Sequence, residues 1–412
     1  MPRRALDEVH AALADTRVVT INGARQVGKS TLAGLVVGST PGAVLRTLDD
    51  PLELAAAQAD PVPFIRHDGL LCIDEIQRAP ELLLAIKASV DRDPRPGRFL
   101  LTGSARVLAL ADLPDALVGR MQAVELWPLS QGEMTGEGDA FVSAAFQHGA
   151  ELDVESAVSR DDYAERIVRG GFPEAVRRTD ARRRAQFFGA YLNNLLERDI
   201  RQLSDVGRLG DLRRLAGAVA ARSAGLLVAQ ALARDVGLAP RTAARYLDLF
   251  DLTFLTRRIP AWATNATVRA VATPKLLMTD SGLCAHVLGM SAGRLATPDP
   301  AGGPVVETWV LSELGRQLDW NTPEARLYHY RTRDGIEVDA VLEDPRGRVV
   351  GIEVKAAEMV RASDFRSLMH LRDRLGERFL AGFVLHLGTA SRAFGDRLRA
   401  LPAAALWAAA AP

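Results

Sequence analysis

The residues with the clearest chemical potential form one short run near the start of the chain. It comprises Gly23, Ala24, Arg25, Gln26, Val27, Gly28, Lys29, Ser30 and Thr31, and it follows the apolar stretch 18–21. Glycine at both ends of this turn lets backbone N–H groups approach a phosphate closely, where a Cβ would obstruct. Lys29 adds positive charge for the β and γ phosphates, and the Ser30 hydroxyl is a ligand for Mg²⁺. The pattern Gly-x-x-x-x-Gly-Lys-Ser between a strand and a helix predicts a loop that binds ATP with Mg²⁺ through all of these residues.

An acidic pair at the end of a second apolar run complements this loop. Residues 70–73 are continuously apolar, as in a buried parallel strand, and Asp74 and Glu75 follow at once. Asp74 is placed to hold Mg²⁺ together with Ser30, and Glu75 to orient the water that attacks the γ-phosphate. We therefore expect Glu75 and Lys29 to be catalytic residues.

A third apolar run, 99–101, ends in Thr102, Gly103 and Ser104. Hydroxyls at the end of such a strand are suited to sensing the γ-phosphate, and a simple Thr-Gly turn explains the same residues equally well.

A different set of charged residues lies near the C-terminus. The segments 337–342 and 349–355 flank the turn Pro345-Arg346-Gly347, which predicts a hairpin in which the numbers of paired residues sum to 692. That register sets Val338, Ala340 and Leu342 on one apolar face, and Asp339 opposite Glu353 beside Lys355 on the other face. Asp339, Glu353 and Lys355 match the D…E-x-K arrangement of metal-dependent nucleases, and Glu307 could add a further carboxylate for Mg²⁺. A surface hairpin with solvated charges is the alternative.

Composition limits the classes of protein that the chain can represent. It has 412 residues with 51 acidic and 51 basic side chains, so no net field draws it to nucleic acid or membrane. Only Lys29, Lys87, Lys275 and Lys355 are lysines, which makes each of them informative. Two distant cysteines, and no apolar stretch long enough for a leader or a membrane span, favour a cytoplasmic protein.

The elements that must position these residues suggest an α/β protein with three parts. Residues 1–155 predict an ATPase domain with a parallel sheet and helices on both faces, ending in a loose linker over 133–155. Residues 156–260 predict a helical segment with a winged-helix-like unit, and residues 261–412 a mixed α/β nuclease-like domain. In the middle part, a Gly-containing turn between two helices indicates a helix-turn-helix. Arg241, Thr242 and Arg245 would then face DNA, although many such units only pack against their neighbours.

Several of these motifs together resemble a known family. The loop at 23–30, the block 72–77, Leu101 to Ala105, and Gly119-Arg120 followed by the block 127–130 look like bacterial and archaeal AAA-type ATPases that carry a C-terminal domain of unknown function. The blocks 170–174, 197–200 and 279–283 extend the resemblance over nearly the whole chain. It implies a P-loop core with an additional strand, Ser104 in a sensor position and Arg120 as a residue that senses or completes a nucleotide site. It also implies a restriction-endonuclease-like C-terminal fold.

The sequence thus predicts a Mg²⁺-dependent ATP-binding and ATP-hydrolysing protein that acts on or binds DNA, in a form compatible with a homo-oligomer. The alternative is a nucleotide-controlled switch, in defence or toxin-type regulation, with a catalytically inactive C-terminal domain.

Overall fold

The first structural unit is a parallel five-stranded sheet. The computed structural model describes residues 3–104, 117, 119–203, 209–297, 299–320 and 324–409. The strands of this sheet are β1 (Val18–Gly23), β2 (Val44–Thr47), β3 (Leu71–Asp74), β4 (Phe99–Gly103) and β5 (Met121–Leu126). They lie in the order β2-β3-β4-β1-β5, and every neighbouring pair is parallel.

Helices cover both faces of this sheet. They are α1 (Ala5–Asp15), α2 (Lys29–Ser39), α3 (Pro51–Ala59), α4 (Pro61–Phe64) and α5 (Leu82–Arg92). Apolar residues of α1 and α2 share a core with Val19 and Ile21 of β1, whereas those of α3, α4 and α5 share a second core with Val18. Because side chains alternate along a strand, the two cores lie on opposite faces, as the sequence predicted.

The segment 133–155 is not the loose linker that its glycine and alanine content suggested. It contains α6 (Gln131–Thr135) and α7 (Phe141–His148), in which residues 141–146 are buried. Phe141 packs edge-on against Phe383, with ring centroids 5.6 Å apart. Small residues here permit close packing against the C-terminal part rather than flexibility.

The middle of the chain is helical, with one pair of short antiparallel strands. Its helices are α8 (Arg160–Arg169), α9 (Pro173–Val176), α10 (Ala181–Asn194), a π-helical turn (Leu195–Asp199), α11 (Ile200–Leu203), α12 (Leu209–Ala221), α13 (Ala229–Val236), α14 (Pro240–Leu252), α15 (Ala266–Val271), α16 (Ser281–Val287) and α17 (Ala292–Leu295). Strand β6 (Thr256–Ile259) pairs with β7 (Lys275–Met278), and Leu226 forms a further antiparallel bridge to Lys275.

The C-terminal part consists of the long helix α18 (Gly303–Gln317) and a mixed six-stranded sheet. Its strands are β8 (Arg326–Arg331), β9 (Glu337–Glu343), β10 (Val349–Lys355), β11 (Phe379–His386), β12 (Arg392–Ala393) and β13 (Leu398–Pro402), with helices α19 (Arg366–Leu375) and α20 (Ala405–Ala408). The order is β12-β13-β11-β10-β9-β8, with parallel pairing of β10 with β11 and of β11 with β13. Helix α19 is the crossover between β10 and β11, which a parallel pair requires.

The hairpin β9–β10 has the predicted register over part of its length. Glu343 pairs with Val349 and Ala340 with Ile352, so the numbers of each pair sum to 692. Beyond Ala340 β9 no longer pairs with β10, and the register between β9 and β8 shifts between Tyr328 and Tyr330. Val338 consequently joins the apolar cluster of Val341, whereas Ala340 and Leu342 belong to the other face. The expectation that Val338 shares a face with Ala340 is therefore wrong.

One apolar core joins the three parts of the chain. It contains residues from Ala5 to Ala409, including a group of edge-on aromatic rings formed by Tyr163, Trp309 and Trp407. Tyr163 also accepts a hydrogen bond from the backbone N–H of Ala404 at 2.9 Å. Among the described residues, no helix combines the length and apolarity needed to cross a bilayer.

Candidate functional site

The phosphate-binding loop lies where β1 ends and α2 begins. Gly28 has φ of 105° and Gln26 has φ of 59°, so the turn uses left-handed backbone at two positions. A Cβ on Gly23 would lie 2.3 Å from the Leu126 carbonyl oxygen, so only glycine allows β1 to approach β5 so closely here. This backbone leaves the N-terminus of α2 directed at the loop, where its dipole favours an anion.

Lys29 is nearly completely buried beneath the loop. Its ammonium donates hydrogen bonds to the carbonyl oxygens of Gly23 at 3.0 Å and Ala24 at 2.9 Å. Burial lowers the pKa of Lys29 from 10.5 to about 8, although Glu75 and Asp74 act in the opposite direction. The loop therefore holds a positively charged group next to the turn in which a phosphate would bind, at a desolvation cost that an anion would repay.

Asp74 and Ser30 lie together at the mouth of the loop. The Ser30 hydroxyl donates to the Asp74 carboxylate, with oxygen–oxygen distances of 3.1 and 3.0 Å. Thr102 also donates to Asp74, and Thr47 does so at 3.4 Å. A hydroxyl and an oriented carboxylate at this separation fit a hard cation such as Mg²⁺, which takes few protein ligands and completes its shell with phosphate and water oxygens.

Glu75, Gln77 and Ser104 form a second polar group next to Asp74. Glu75 has φ of 59°, which is uncommon for a residue with a side chain and is typical of functional sites. The Gln77 amide donates to the Glu75 carboxylate and to the Ser104 hydroxyl, the latter at 3.1 Å. The structure thus brings the predicted Glu75 and Ser104 together through Gln77, which sequence reasoning missed.

The walls of the nucleotide cavity come from three regions of the chain. The cavity measures about 330 Å³ and is lined by the loop and Glu75, by Arg3 and Leu129, and by the segment containing Pro173, Glu174 and Arg177. Arg25 of the loop forms an ion pair with Asp199 of the π-helical turn, with 2.5 Å between nitrogen and oxygen. Burial raises the pKa of Asp199, and the guanidinium of Arg25 opposes this rise. Sequence reasoning missed Asp199 as part of this site, although the block 197–200 had carried the family resemblance.

Three of the blocks that carried the resemblance meet behind this cavity. The Leu129 N–H donates to the Gly171 carbonyl at 2.8 Å, and the Gly171 N–H donates to Asp280 at 2.7 Å. Asp280 also accepts from the Leu283 N–H at 2.9 Å and so caps α16. Since Gly171 lies two residues before Pro173, these bonds position the cavity wall relative to the ATPase sheet.

The structure does not bring Arg120 to this cavity. Arg120 directly precedes β5, whereas Leu126 at the end of β5 pairs with Gly23 of the loop. With a rise of about 3.3 Å per residue, Arg120 lies roughly 20 Å from the phosphate loop, where the parallel strands begin rather than where they end. There it forms an ion pair with Asp91 at 2.5 Å. Any role of Arg120 at a nucleotide would therefore concern a neighbouring chain.

The C-terminal carboxylates also lie together, but around a lysine. The Lys275 ammonium lies 2.6 Å from Glu307, 2.9 Å from Glu337 and 3.3 Å from Asp339. Glu353 lies beside Asp339, and Lys355 is 3.5 Å from Glu353. Among the described residues, no group of three or more His, Cys, Asp or Glu side chains is arranged to hold a metal ion. The residues present therefore do not fit the Mg²⁺ that the nuclease-like prediction placed here.

The predicted DNA-contacting residues lie on α14, in the unit of α12, α13 and α14. Arg241 and Arg245 are exposed, and Thr242 is half-buried. Ala243, Tyr246 and Leu247 on the same helix are buried, so α14 packs with one face and leaves its arginines on the other.

The loop, the acidic pair and the strand order define an AAA-type P-loop protein that binds ATP. Residues 15–135 match the AAA domain family, residues 160–294 a domain of unknown function (DUF8612) and residues 302–406 a domain of unknown function (DUF4143). The chain belongs to the same family as the uncharacterized protein Rv2008c of Mycobacterium tuberculosis. The two are 31% identical over 86% of this chain and 73% of that protein, and Mb2031c of Mycobacterium bovis matches equally.

Solved structures that are similar to parts of the chain include two proteins, RuvB and DnaA. The RuvB Holliday junction branch migration motor of Thermotoga maritima is 18% identical, covers 63% of this chain and 90% of its own, and has a TM-score of 0.29. AMPPCP-bound DnaA from Aquifex aeolicus is 13% identical, covers 59% and 86%, and has a TM-score of 0.30.

Proposed function

We propose that the protein is a Mg²⁺-dependent ATPase whose nucleotide state is communicated to a DNA-binding middle part. The observation that carries the proposal is the contact of Ser30 with Asp74 at the mouth of the phosphate loop, with Glu75 next in the chain. Where β1 and β3 end, Ser30 and Asp74 supply a cation site, Lys29 supplies a positive charge for the phosphates and Glu75 supplies a carboxylate for the attacking water.

Each of these groups has a separate role in the proposed reaction. The loop amides and Lys29 bind the phosphates, and Ser30 and Asp74 would hold Mg²⁺, which neutralises phosphate charge when bound. Glu75 orients the attacking water, since its backbone is fixed by the bond from its N–H to Thr102 at 3.2 Å. Ser104 responds to the γ-phosphate through Gln77, which contacts both Ser104 and Glu75.

Removal of the loop lysine tests this proposal. We expect Lys29→Ala to lower ATP turnover by about 100-fold or more, because the variant lacks the positive charge that stabilises the negative charge developing on the phosphates. The measurement is phosphate release with Mg²⁺, and with EDTA, beside nucleotide binding by the same chain. Lys87→Ala is the matched control, since Lys87 lies on α5 outside the cavity. Hydrolysis at the wild-type rate in Lys29→Ala would overturn the proposal.

The DNA part of the proposal rests on the middle unit. Three helices followed by an antiparallel strand pair, with the exposed Arg241 and Arg245 on the third helix, are the arrangement that a winged-helix interpretation requires. Phosphate contacts by these arginines would position DNA without specifying its sequence.

A nucleotide-controlled switch with an inactive C-terminal domain is the second candidate, and one observation favours it over an ATP-driven nuclease. A buried lysine, Lys275, lies among the carboxylates that a nuclease would use for metal. ATP turnover without DNA cleavage would support the switch.

A further inference from the structure

The carboxylate cluster of the C-terminal part has an unusual centre. Lys275 opens β7, its side chain is 1% exposed, and its ammonium contacts one oxygen of each of Glu307, Glu337 and Asp339. These three contacts surround the ammonium with opposite charge and compensate for its removal from water.

The second oxygens of two of these carboxylates are engaged elsewhere. Asp339 Oδ2 accepts the Val354 N–H at 2.9 Å, and Glu337 Oε2 accepts from Arg331 at 2.6 Å. Oε1 of Glu307, Oε1 of Glu337 and Oδ1 of Asp339 lie 2.6–3.3 Å from the Lys275 nitrogen. Divalent cations bind carboxylate oxygens at about 2.0–2.6 Å, so the ammonium lies where such a cation would have to be.

We propose that the Lys275 ammonium replaces a divalent metal ion in this cluster, so that the cluster is closed to metal in the folded protein. The D…E-x-K residues Asp339, Glu353 and Lys355 then serve structure rather than cleavage. The stem of Lys275 belongs to β7, which pairs with β6 of the middle part, whereas Asp339 belongs to the C-terminal sheet. The cation that a nuclease would take from solution is thus supplied by a neighbouring part of the same chain. This inference is independent of ATP turnover at Lys29.

Manganese binding to the full chain without nucleotide tests the proposal. Free Mn²⁺ is measured by electron paramagnetic resonance for the wild type and for Asp339→Asn, Lys275→Met and Lys275→Met with Asp339→Asn. We expect the wild type and Asp339→Asn to bind equal amounts, because the cluster takes no metal in either. We expect Lys275→Met to bind one Mn²⁺ per chain more than the double variant, since loss of the ammonium vacates the position between the carboxylates. Lys87→Met is the matched control and should equal the wild type.

Two outcomes would overturn the proposal. One is a loss of bound Mn²⁺, or of Mn²⁺-dependent cleavage of plasmid DNA, when Asp339→Asn is introduced into the wild type. The other is a folded Lys275→Met chain that binds no more Mn²⁺ than the double variant. Where Lys275→Met does not fold, the comparison of the wild type with Asp339→Asn still decides, because it involves no lysine replacement.

Discussion

At the scale of single residues, two buried lysines show how surroundings determine what the same side chain does. Lys29 donates to two backbone carbonyls, and burial lowers its pKa to about 8. Lys275 is equally buried but contacts three carboxylates, which raise its pKa. Lys29 gains most from an added anion, whereas Lys275 already has its counter-charges. The environment of Lys29 therefore suits ligand binding, and that of Lys275 suits a structural role.

The lowered pKa of Lys29 predicts a pH dependence of ATP binding. Phosphates bind the charged form, and the free protein loses that charge above about pH 8, so affinity should fall by up to about tenfold per pH unit above this value. The measurement is the ATP dissociation constant between about pH 7 and 10. Lys29→Met is the control. It should bind ATP weakly, and its affinity should not show the fall that depends on the charge of Lys29. A wild-type affinity that is constant across the range would contradict the prediction.

The lowered pKa of Lys29 affects the stability of the fold in the opposite direction to ATP binding. Between about pH 8 and pH 10.5 the unfolded chain keeps the Lys29 proton, whereas the folded chain has released it. The unfolded state then binds more protons, so the contribution of Lys29 to the free energy of unfolding rises with pH in this window.

At the scale of elements, the turn at Gly171 determines where the cavity wall lies. A Cβ at this position would lie 2.3 Å from the Leu129 carbonyl oxygen, which is backbone and cannot rotate away. The adjoining segment carries Pro173 and Glu174 into the nucleotide cavity. Crowding at Gly171 should therefore affect both the stability of the fold and the site.

We predict that Gly171→Ala lowers the free energy of unfolding by about 2 kcal/mol, the usual cost of overpacking a tight contact. It should also weaken ATP binding, because the wall at Pro173 moves. Denaturant unfolding and nucleotide binding measure the two effects. Gly38→Ala is the matched control, since a Cβ there meets nothing within 4 Å and a helix gains about 0.5–1 kcal/mol from the exchange. Equal stability of the two variants would contradict the prediction.

The arginines of α14 carry the prediction for DNA. Arg241→Ala with Arg245→Ala should weaken duplex DNA binding by about tenfold and reduce the slope of log affinity against log salt by about 2, one for each lost phosphate contact. Fluorescence anisotropy across a salt series measures both. Arg92→Ala with Arg95→Ala removes the same charge from the exposed end of the ATPase part and should change neither quantity. Unchanged DNA binding in the α14 variant, with the fold intact, would refute the winged-helix interpretation.

At the scale of the whole molecule, the three parts share one apolar core, so the C-terminal part is not an independent appendage. Tyr163 of α8 contacts both Trp309 of α18 and Trp407 of α20. Arg120, in contrast, lies at the sheet edge far from its own loop. If Arg120 completes a nucleotide site, that site belongs to a second copy of the chain.

We predict that Arg120→Ala lowers ATP turnover by about 100-fold or more while ATP affinity stays within about twofold, as for an arginine that acts on a neighbouring subunit. Wild-type turnover per chain should then rise with protein concentration. Asp91→Ala is the control, because it removes the ion-pair partner and leaves the guanidinium in place. Turnover of Arg120→Ala at the wild-type level would exclude this role.

The sequence by itself determined the parallel sheet, the loop at 23–31, the Asp74–Glu75 pair and part of the hairpin register. These features are local, because glycine spacing and apolar runs fix strand ends without reference to distant residues. Only the tertiary structure decided that residues 141–148 form a helix with a buried face, that Asp199 pairs with Arg25 of the loop and Gln77 with Glu75, and that Arg120 does not reach the cavity. It alone placed Lys275 among carboxylates that lie 32 to 64 residues away in the chain. Contacts over such separations depend on how whole elements pack, which no spacing within a strand or helix encodes.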